Sequence, residues 1–370
     1  MKQPPHLQDQ NSHKNFHPIR QFLPPPKRSK YFFNNGPLTH SREETTSFLK
    51  FKNGKMAPFI LTVKNARIVG RNRICNEDGQ IFSHPLLPES HMDALDSRLS
   101  AYEWQGNINF KESPTKSFDK IIYIEKAGNH IYGHWLVDIL PRIHFLKKSG
   151  EFEDYQWLFS DTTPDFALRL LDQLGINSDN RVFYNANEEI VKANVLVVPS
   201  MLRWHSTFFE DTAEFYEQFI SSFSLTPAKR SRKILISRQS WNKPFRRLVN
   251  FRELQSISEE YSYEVISPEQ YPLEEQLRIF ASAASVVGEN SSALHNTLFS
   301  PSGTPTLSLQ SEFNNNTIQS GIADLKKQSM GYIYGLPLSL PGYRGYKNLS
   351  NFFISPKLFR QALQKMERLL

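Results

Sequence analysis

Short apolar runs alternate with segments of helical periodicity from residue 233 onward, and this alternation limits the fold more than any other feature of the sequence. A strand that is followed by a helix and then by another strand favours a parallel sheet with helices on its faces. The predicted strands cover residues 233–237, 263–266, 285–287 and 306–309, and the predicted helices cover 250–261, 272–284 and 291–299. A similar order precedes them, with predicted strands at 121–124, 155–159 and 195–198 and helices at 129–147, 164–174 and 208–223. The pattern therefore predicts an α/β protein.

Changes in composition divide the chain into four parts. A short, polar, basic stretch, Ser224 to Arg232, is typical of a domain boundary. We predict a basic, mostly disordered tail at 1–55, an N-terminal domain at 56–225, a C-terminal domain at 226–340 and a helical segment at 341–370.

Charge and cysteine usage narrow the class of protein. The formal net charge is +7, and much of the excess lies in the tail. The simpler interpretation is that the tail is solvated, although it could touch an anionic membrane face. No nucleic acid partner is expected, because the sequence has no nucleic-acid-binding pattern beside the tail. Cys75 is the single cysteine, which excludes an intrachain disulfide and fits a reducing compartment. The sequence has no hydrophobic leader-like segment and no apolar run of membrane length, so we expect a cytoplasmic protein. Association with a membrane through the basic tail is the alternative.

The stretch Gly128 to Lys147 combines a tight turn with an amphipathic segment. On a helix, His130, His134, Asp138 and Arg142 follow one another at four-residue spacing and share a face. Pro141 has no N–H to donate to the carbonyl of residue 137, so the helix should bend beside this polar face. The pattern has two interpretations. One is an ordinary solvated helix face, and the other is an active-site module that presents an imidazole and a carboxylate. Two such side chains are too few for a typical catalytic zinc site, so no metal is expected.

Three loops follow strands of the second half, where ligands of doubly wound sheets bind. The first, residues 238–248, carries Arg238, Arg246 and Arg247. The second comprises residues 267–272. The third joins a strand to a helix start and reads Gly288-Glu289-Asn290-Ser291-Ser292. Free amides at a helix start and nearby guanidinium groups are the usual partners of a phosphate. Each feature is also found as an ordinary cap or surface residue, but together they predict a phosphate site.

Four segments, in this order, resemble glycosyltransferase family 61. They are Ile131-Tyr132-Gly133-His134-Trp135 with Asp138 and Leu140-Pro141-Arg142; Ile236-Ser237-Arg238 with Arg246-Arg247 and Asn250; Glu275-Gln276 with Phe280 and Ala283; and Gly288 to Asn296 with Phe299, Pro301 and Gly303. The resemblance covers about residues 61–309. One departure is the pair Ser291-Ser292, where the family commonly has Gly-Ala. Serine is small and can donate a hydrogen bond to phosphate, so we expect this loop to keep its function as the donor-binding loop.

The resemblance implies an inverting, nucleotide-sugar-dependent glycosyltransferase of the GT-B fold, with two Rossmann-like domains whose parallel sheets face a central cleft. The expected partners are a nucleotide-sugar donor and a glycan acceptor, the nucleotide sugar being a co-substrate and no metal being required. A role in bacterial capsular or cell-surface polysaccharide synthesis fits best. The alternatives are a nucleotide-sugar epimerase and a non-catalytic nucleotide-sugar-binding protein.

The resemblance also suggests roles for individual residues. The base that accepts the proton of the acceptor hydroxyl would be Asp138 directly or His134 oriented by it, and both assignments stay open at this point. The donor diphosphate would rest on Arg238, Arg246 or Arg247 and on the amides of Ser291 and Ser292. Glu289 or Asn296 would hold the ribose or the base, or serve as a structural cap or core amide, and Asn290 completes the donor loop.

Overall fold

The computed structural model describes most of the chain after residue 113 and shorter segments before it. The described residues are 16–18, 31–36, 57–71, 73–79, 82, 86–87, 99–103, 107–110, 113–126, 128–223, 230–241, 245–314, 316–338 and 349–370. Most of the predicted basic tail therefore lies outside the described residues, and so does the predicted boundary stretch 224–229. Within the described part of the chain, no helix has both the length and the apolar character needed to cross a membrane.

The strands are numbered in chain order. They are β1 Phe16–Pro18, β2 Tyr31–Asn34, β3 Phe59–Val69, β4 Arg73–Cys75, β5 Leu99–Glu103, β6 Asn107–Phe110, β7 Lys116–Tyr123, β8 Gln156–Ser160, β9 Arg181–Tyr184, β10 Ile190–Pro199, β11 Arg203–Trp204, β12 Thr207–Phe208, β13 Arg232–Ile236, β14 Glu264–Ile266, β15 Ala283–Glu289, β16 Thr306–Ser311, β17 Met330–Leu338 and β18 Asn351–Phe353.

The first helix, α1, has three consecutive stretches: α-helical Tyr132–His134, a π turn at Trp135–Ile139 and α-helical Leu140–Ser149. The remaining α-helices are α2 Asp165–Gln173, α3 Thr212–Ser222, α4 Phe251–Glu259, α5 Leu273–Ala281, α6 Ile318–Leu325 and α7 Pro356–Glu367. Two 3₁₀ segments, Pro268–Gln270 and Ser292–Phe299, complete the set.

Two compact units divide the chain: Met1–Phe22 with Gly54–Trp204, and Leu23–Asn53 with His205–Leu370. The change of unit falls before α3, about twenty residues ahead of the predicted boundary. The reason is visible in the packing of α3, since Tyr216 and Phe219 contact the ring of Phe299 at centroid distances of 6.0 and 5.9 Å. Its aromatic face thus belongs to the core of the second unit.

The first unit contains a mixed sheet of strand order β1-β3-β10-β7-β8-β9, with β4 beside β3. Strands β10, β7, β8 and β9 run parallel, and β3 is antiparallel to β10. Strand β3 is one long strand that continues through Lys64 and Asn65. Asn65 adopts a positive φ of 50° and drops out of the pairing, so β3 continues through a local irregularity.

The second unit contains a sheet of strand order β14-β13-β15-β16-β17-β18, with β2 beside β17. Strands β14, β13, β15, β16 and β17 run parallel, which confirms the α/β class predicted for this half. Apolar side chains of α4 and α7, such as Leu254 and Phe359, pack against Leu235 and Val287 of the sheet. The carboxyl ends of β13, β15 and β16 meet at one edge, which positions the loops discussed below.

The helix predicted at 291–299 is a 3₁₀ helix and not an α-helix. Asn250 is the N-cap residue of α4, but its side chain makes no capping hydrogen bond. Its amide instead donates to the carbonyl of Ile354 at 2.9 Å, and its oxygen accepts from the Ile354 N–H at 3.2 Å. The amide group of Asn250 therefore bonds to a distant segment and not to the free backbone amides at the start of α4.

The lone cysteine provides a test of the packing of the first sheet. Cys75 is fully buried on β4, and this burial raises the pKa of its thiol to about 12. Because the thiolate is the reactive form, alkylation at pH 8 should be roughly a thousandfold slower in the native protein than in denaturant. The rates of iodoacetamide modification with and without guanidinium measure this. Equal rates would show that the edge of the sheet opens readily.

Candidate active site

Asp138 is the centre of a buried charged cluster in the first unit. It lies in the π turn of α1, and its carboxylate accepts from Lys126 Nζ at 2.8 Å and from His134 Nδ1 at 2.7 Å. The same carboxylate forms an ion pair with Arg203 Nη2 at 2.6 Å. The side chain of Asp138 is 0% exposed. The predicted polar face of this helix is therefore not a solvated face, which removes the ordinary interpretation of that pattern.

The cluster sets the ionisation of the carboxylate. Burial alone would raise the pKa of Asp138, but Arg203, Lys126 and the hydrogen bond from His134 together hold that pKa well below its usual range. Burial lowers the pKa of the Lys126 ammonium, although the charge of the neighbouring Asp138 acts to raise it. The carboxylate is thus a permanent anion that holds its neighbours in place.

His134 is the most exposed member of the cluster, since 32% of its side chain is exposed. An ionised carboxylate can only accept, so Nδ1 donates to Asp138 and Nε2 is left as an acceptor. Gly128 lies against the ring. It has a positive φ of 82°, and a Cβ built on it would lie 2.9 Å from His134 Cδ2 and 3.1 Å from Nε2.

Arg142 fixes the strand ends that supply the cations. It is fully buried, and burial lowers the pKa of its guanidinium to about 10. It donates to the carbonyl of Ile124 at 2.6 Å and to the carbonyl of Pro199 at 2.9 and 2.6 Å. Lys126 and Arg203 follow these two carbonyls closely in sequence. One side chain therefore anchors both segments that carry the partners of Asp138.

Glu125 anchors the turn that precedes α1. Its Oε1 accepts from the Ser160 N–H at 2.8 Å, from Thr163 Oγ1 at 3.0 Å and from Asn129 Nδ2 at 3.3 Å. The carbonyl of Asn129 in turn accepts from Trp135 Nε1 at 2.6 Å. Burial raises the pKa of Glu125, and these hydrogen bonds oppose that effect. The turn beside His134 is thereby held to the sheet.

The second unit has a pocket at the carboxyl edge of its parallel sheet. Its cavity is narrow, about 10 Å³, which is room for about one water molecule. Four of the predicted donor-binding residues line it: Arg238, Arg246, Glu289 and Asn290. The backbone between them is tied together, since Arg246 Nη2 donates to the Asn290 carbonyl at 3.0 Å and Asn290 Nδ2 donates to Gln310 Oε1 at 2.7 Å.

One buried carboxylate faces two arginines in this pocket. Burial raises the pKa of Glu289, and the charges of Arg238 and Arg246 oppose that rise. Burial lowers the pKa of Arg238 to about 10 and also lowers that of Arg246. Glu289 Oε2 accepts from the Leu248 N–H at 3.2 Å, so this carboxylate shapes the arginine loop. Positive charge exceeds negative charge here, which favours an anionic ligand.

The other predicted residues lie outside the set that lines the pocket. Arg247 donates to the Trp241 carbonyl at 2.8 Å and holds its own loop. Ser291 donates to the Glu289 carbonyl at 3.1 Å, and Ser292 begins the 3₁₀ helix with its first-turn amides. Asn296 is fully buried within that helix. Among the described residues, no group of three His, Cys, Asp or Glu side chains is placed to bind a metal.

These two clusters can be compared with known families. Residues 132–307 match the model of the family described as Glycosyltransferase 61. Over these residues the chain is similar to glycosyltransferase family 61. The resemblance inferred from the sequence is confirmed, and the family indicates a glycosyltransferase. No curated protein sequence matched the chain significantly.

The sequence did not single out Lys126 or Arg203 as partners of Asp138. Both follow the carboxyl ends of adjacent parallel strands, β7 and β10, and that position was the available signal. Their pairing with Asp138 depends on which strands are neighbours. The order β10-β7-β8 places strands side by side that are far apart in the chain, and periodicity carries no information on that order.

Gly128 gives a prediction with a matched control. Gly128→Ala and Gly150→Ala both place a Cβ at a positive φ, of 82° and 69°, and each should cost about 1 kcal/mol of folding free energy. Only Gly128→Ala adds an atom against His134, since nothing lies within 4 Å of a Cβ at Gly150. We expect the imidazole NMR signals of His134 to move in Gly128→Ala alone. Unchanged signals in that variant would contradict the close approach.

Proposed function

We propose that the chain is an inverting glycosyltransferase of the GT-B type, which moves a sugar from a nucleotide-sugar donor to a hydroxyl of a glycan acceptor. The observation that carries the proposal is the contact of His134 Nδ1 with the buried, ionised Asp138 at 2.7 Å. Capsular or cell-surface polysaccharide synthesis in the cytoplasm is the setting that fits best, supported by the free Cys75. We also propose that the basic tail contacts an anionic membrane.

The structure favours His134 over Asp138 as the base. Asp138 is fully buried, cations occupy both of its oxygens, and its lowered pKa makes it a weak base. His134 is accessible and presents Nε2 as an acceptor when Nδ1 is held by the carboxylate. Asp138 therefore orients the imidazole and stabilises the imidazolium that forms when the acceptor hydroxyl is deprotonated.

The leaving nucleoside diphosphate needs positive charge, and the pocket of the second unit supplies it. Arg238 and Arg246 would donate to the phosphate oxygens, and the amides of Ser291 and Ser292 would add donors at the helix start. Arg238 is held by stacking on Trp241, with its guanidinium 4.0 Å from the ring centroid. Donors that are fixed before the ligand arrives stabilise developing charge without a bound metal, so we propose metal-independent transfer.

Substitution of the base tests the first half of the mechanism. His134→Gln should lower sugar transfer at least about a hundredfold and leave nucleotide binding unchanged, because the variant removes only the proton acceptor. Transfer is measured by release of nucleoside diphosphate with and without acceptor, using the nucleotide sugar that raises the melting temperature most. His130→Gln is the matched control, since His130 is exposed in the turn before α1.

Asp138→Asn should lose transfer to a similar extent, because the imidazole loses its orienting anion. Near-normal turnover of His134→Gln would remove the imidazole from the mechanism. Donor conversion that proceeds equally well without an acceptor would indicate an epimerase, and nucleotide-sugar binding without turnover would indicate a binding protein.

Substitution of a pocket arginine tests the second half. Arg246→Gln should weaken nucleoside diphosphate binding roughly tenfold or more, because it removes a charge-assisted donor from a partly desolvated site. Arg252→Gln, at an exposed position on α4, should bind like the wild type. Isothermal titration with the nucleoside diphosphate of the preferred donor compares the three proteins. Unchanged affinity in Arg246→Gln would place the diphosphate elsewhere.

A further inference from the structure

Lys126 lies beside the imidazole that the proposed mechanism uses. Its ammonium donates to Asp138 Oδ2 at 2.8 Å, and His134 Nδ1 donates to the same oxygen at 2.7 Å. The ammonium and the imidazole are therefore separated by no more than the two hydrogen bonds that meet on this atom. The two side chains that share Asp138 Oδ2 therefore lie close enough to contact one ligand.

The positive charge of Lys126 is only partly balanced. The carboxylate of Asp138, which pairs with Lys126, also contacts Arg203 and His134. Three side chains therefore share one negative charge. The buried Arg142, four residues along the same helix, adds a further positive charge that rests on backbone carbonyls. Burial lowers the pKa of Lys126, and the charges of Arg203 and Arg142 oppose the effect of Asp138. Such a cation is costly to bury without another anion.

A ligand can supply that anion, because the two relevant side chains can be reached. Lys126 is 16% exposed and His134 is 32% exposed, whereas Asp138 is covered. An ammonium has three N–H donors, and the bond to Asp138 uses one of them. The ligand would therefore meet the imidazole and the ammonium but not the carboxylate.

We propose that the glycan acceptor carries a carboxylate or phosphate near the hydroxyl that is glycosylated, and that Lys126 binds this anion. The inference rests on the proposed function and specifies its acceptor as an acidic glycan. The diphosphate of the donor offers the same oxygen chemistry, so the experiment separates these two sources.

The first arm compares two probes that differ only in charge, methyl β-D-glucuronide and methyl β-D-glucoside. Each is titrated into the labelled full chain while the imidazole signals of His134 are followed by NMR. The wild type should bind the glucuronide about tenfold or more tighter. Lys126→Gln should lose this advantage, Lys126→Arg should keep it because the charge is retained, and Lys64→Gln, an exposed control on β3, should also keep it.

Equal affinity for the two glycosides in the wild type would overturn the inference, and so would the absence of a shift with either probe. An advantage that persists in Lys126→Gln would overturn it as well.

The second arm tests nucleotide binding. Lys126→Gln should bind UDP and GDP within about twofold of the wild type, whereas Arg246→Gln should bind them more weakly. Weaker nucleotide binding in Lys126→Gln would show that Lys126 holds the donor, which also overturns the inference. If His134-dependent release of nucleoside diphosphate persists while the glucuronide shows no advantage, the acceptor class is wrong and the proposed function stands.

Discussion

The buried carboxylate of Asp138 is the contact on which the first unit depends. It draws Lys126 and Arg203 from the ends of two parallel strands and His134 from the preceding turn of its own helix. A lone buried carboxylate would be protonated or excluded from the core, and each cation alone would be equally costly. The four groups are stable inside the protein only together, so the geometry of the imidazole follows from the burial of the carboxylate.

The second unit uses a related arrangement with a different outcome. Glu289 is buried beside Arg238 and Arg246, and it also accepts the amide of Leu248 from the loop that carries Arg246. The carboxylate thus organises the arginine loop while leaving net positive charge at the carboxyl edge of the sheet. In the first unit the carboxylate orients an imidazole. In the second it holds the loop that carries Arg246.

The sequence predicted the elements of the fold better than their pairing. The alternation after residue 233 led directly to the parallel order of β13, β15 and β16, because period and length identify strands and helices locally. The four-residue spacing also brought His134 and Asp138 together. Lys126 and Arg203 could not be assigned, since their role arises from the adjacency of β7 and β10. The bonds of the Asn250 side chain to the carbonyl and amide of Ile354 could not be predicted either, because they join segments about a hundred residues apart.

Irregular backbone and buried charge are concentrated in the short stretch from Gly128 to Arg142. Pro141 offers no N–H to the carbonyl of residue 137, and just before it a π turn pairs the Leu140 N–H with the Trp135 carbonyl. Each of these features costs folding free energy. The sheet around them is apolar and regular, and it supplies the stability that holds them. A chain selected for stability alone would fill this position with an ordinary apolar helix, so the cost itself points to the imidazole that the stretch positions.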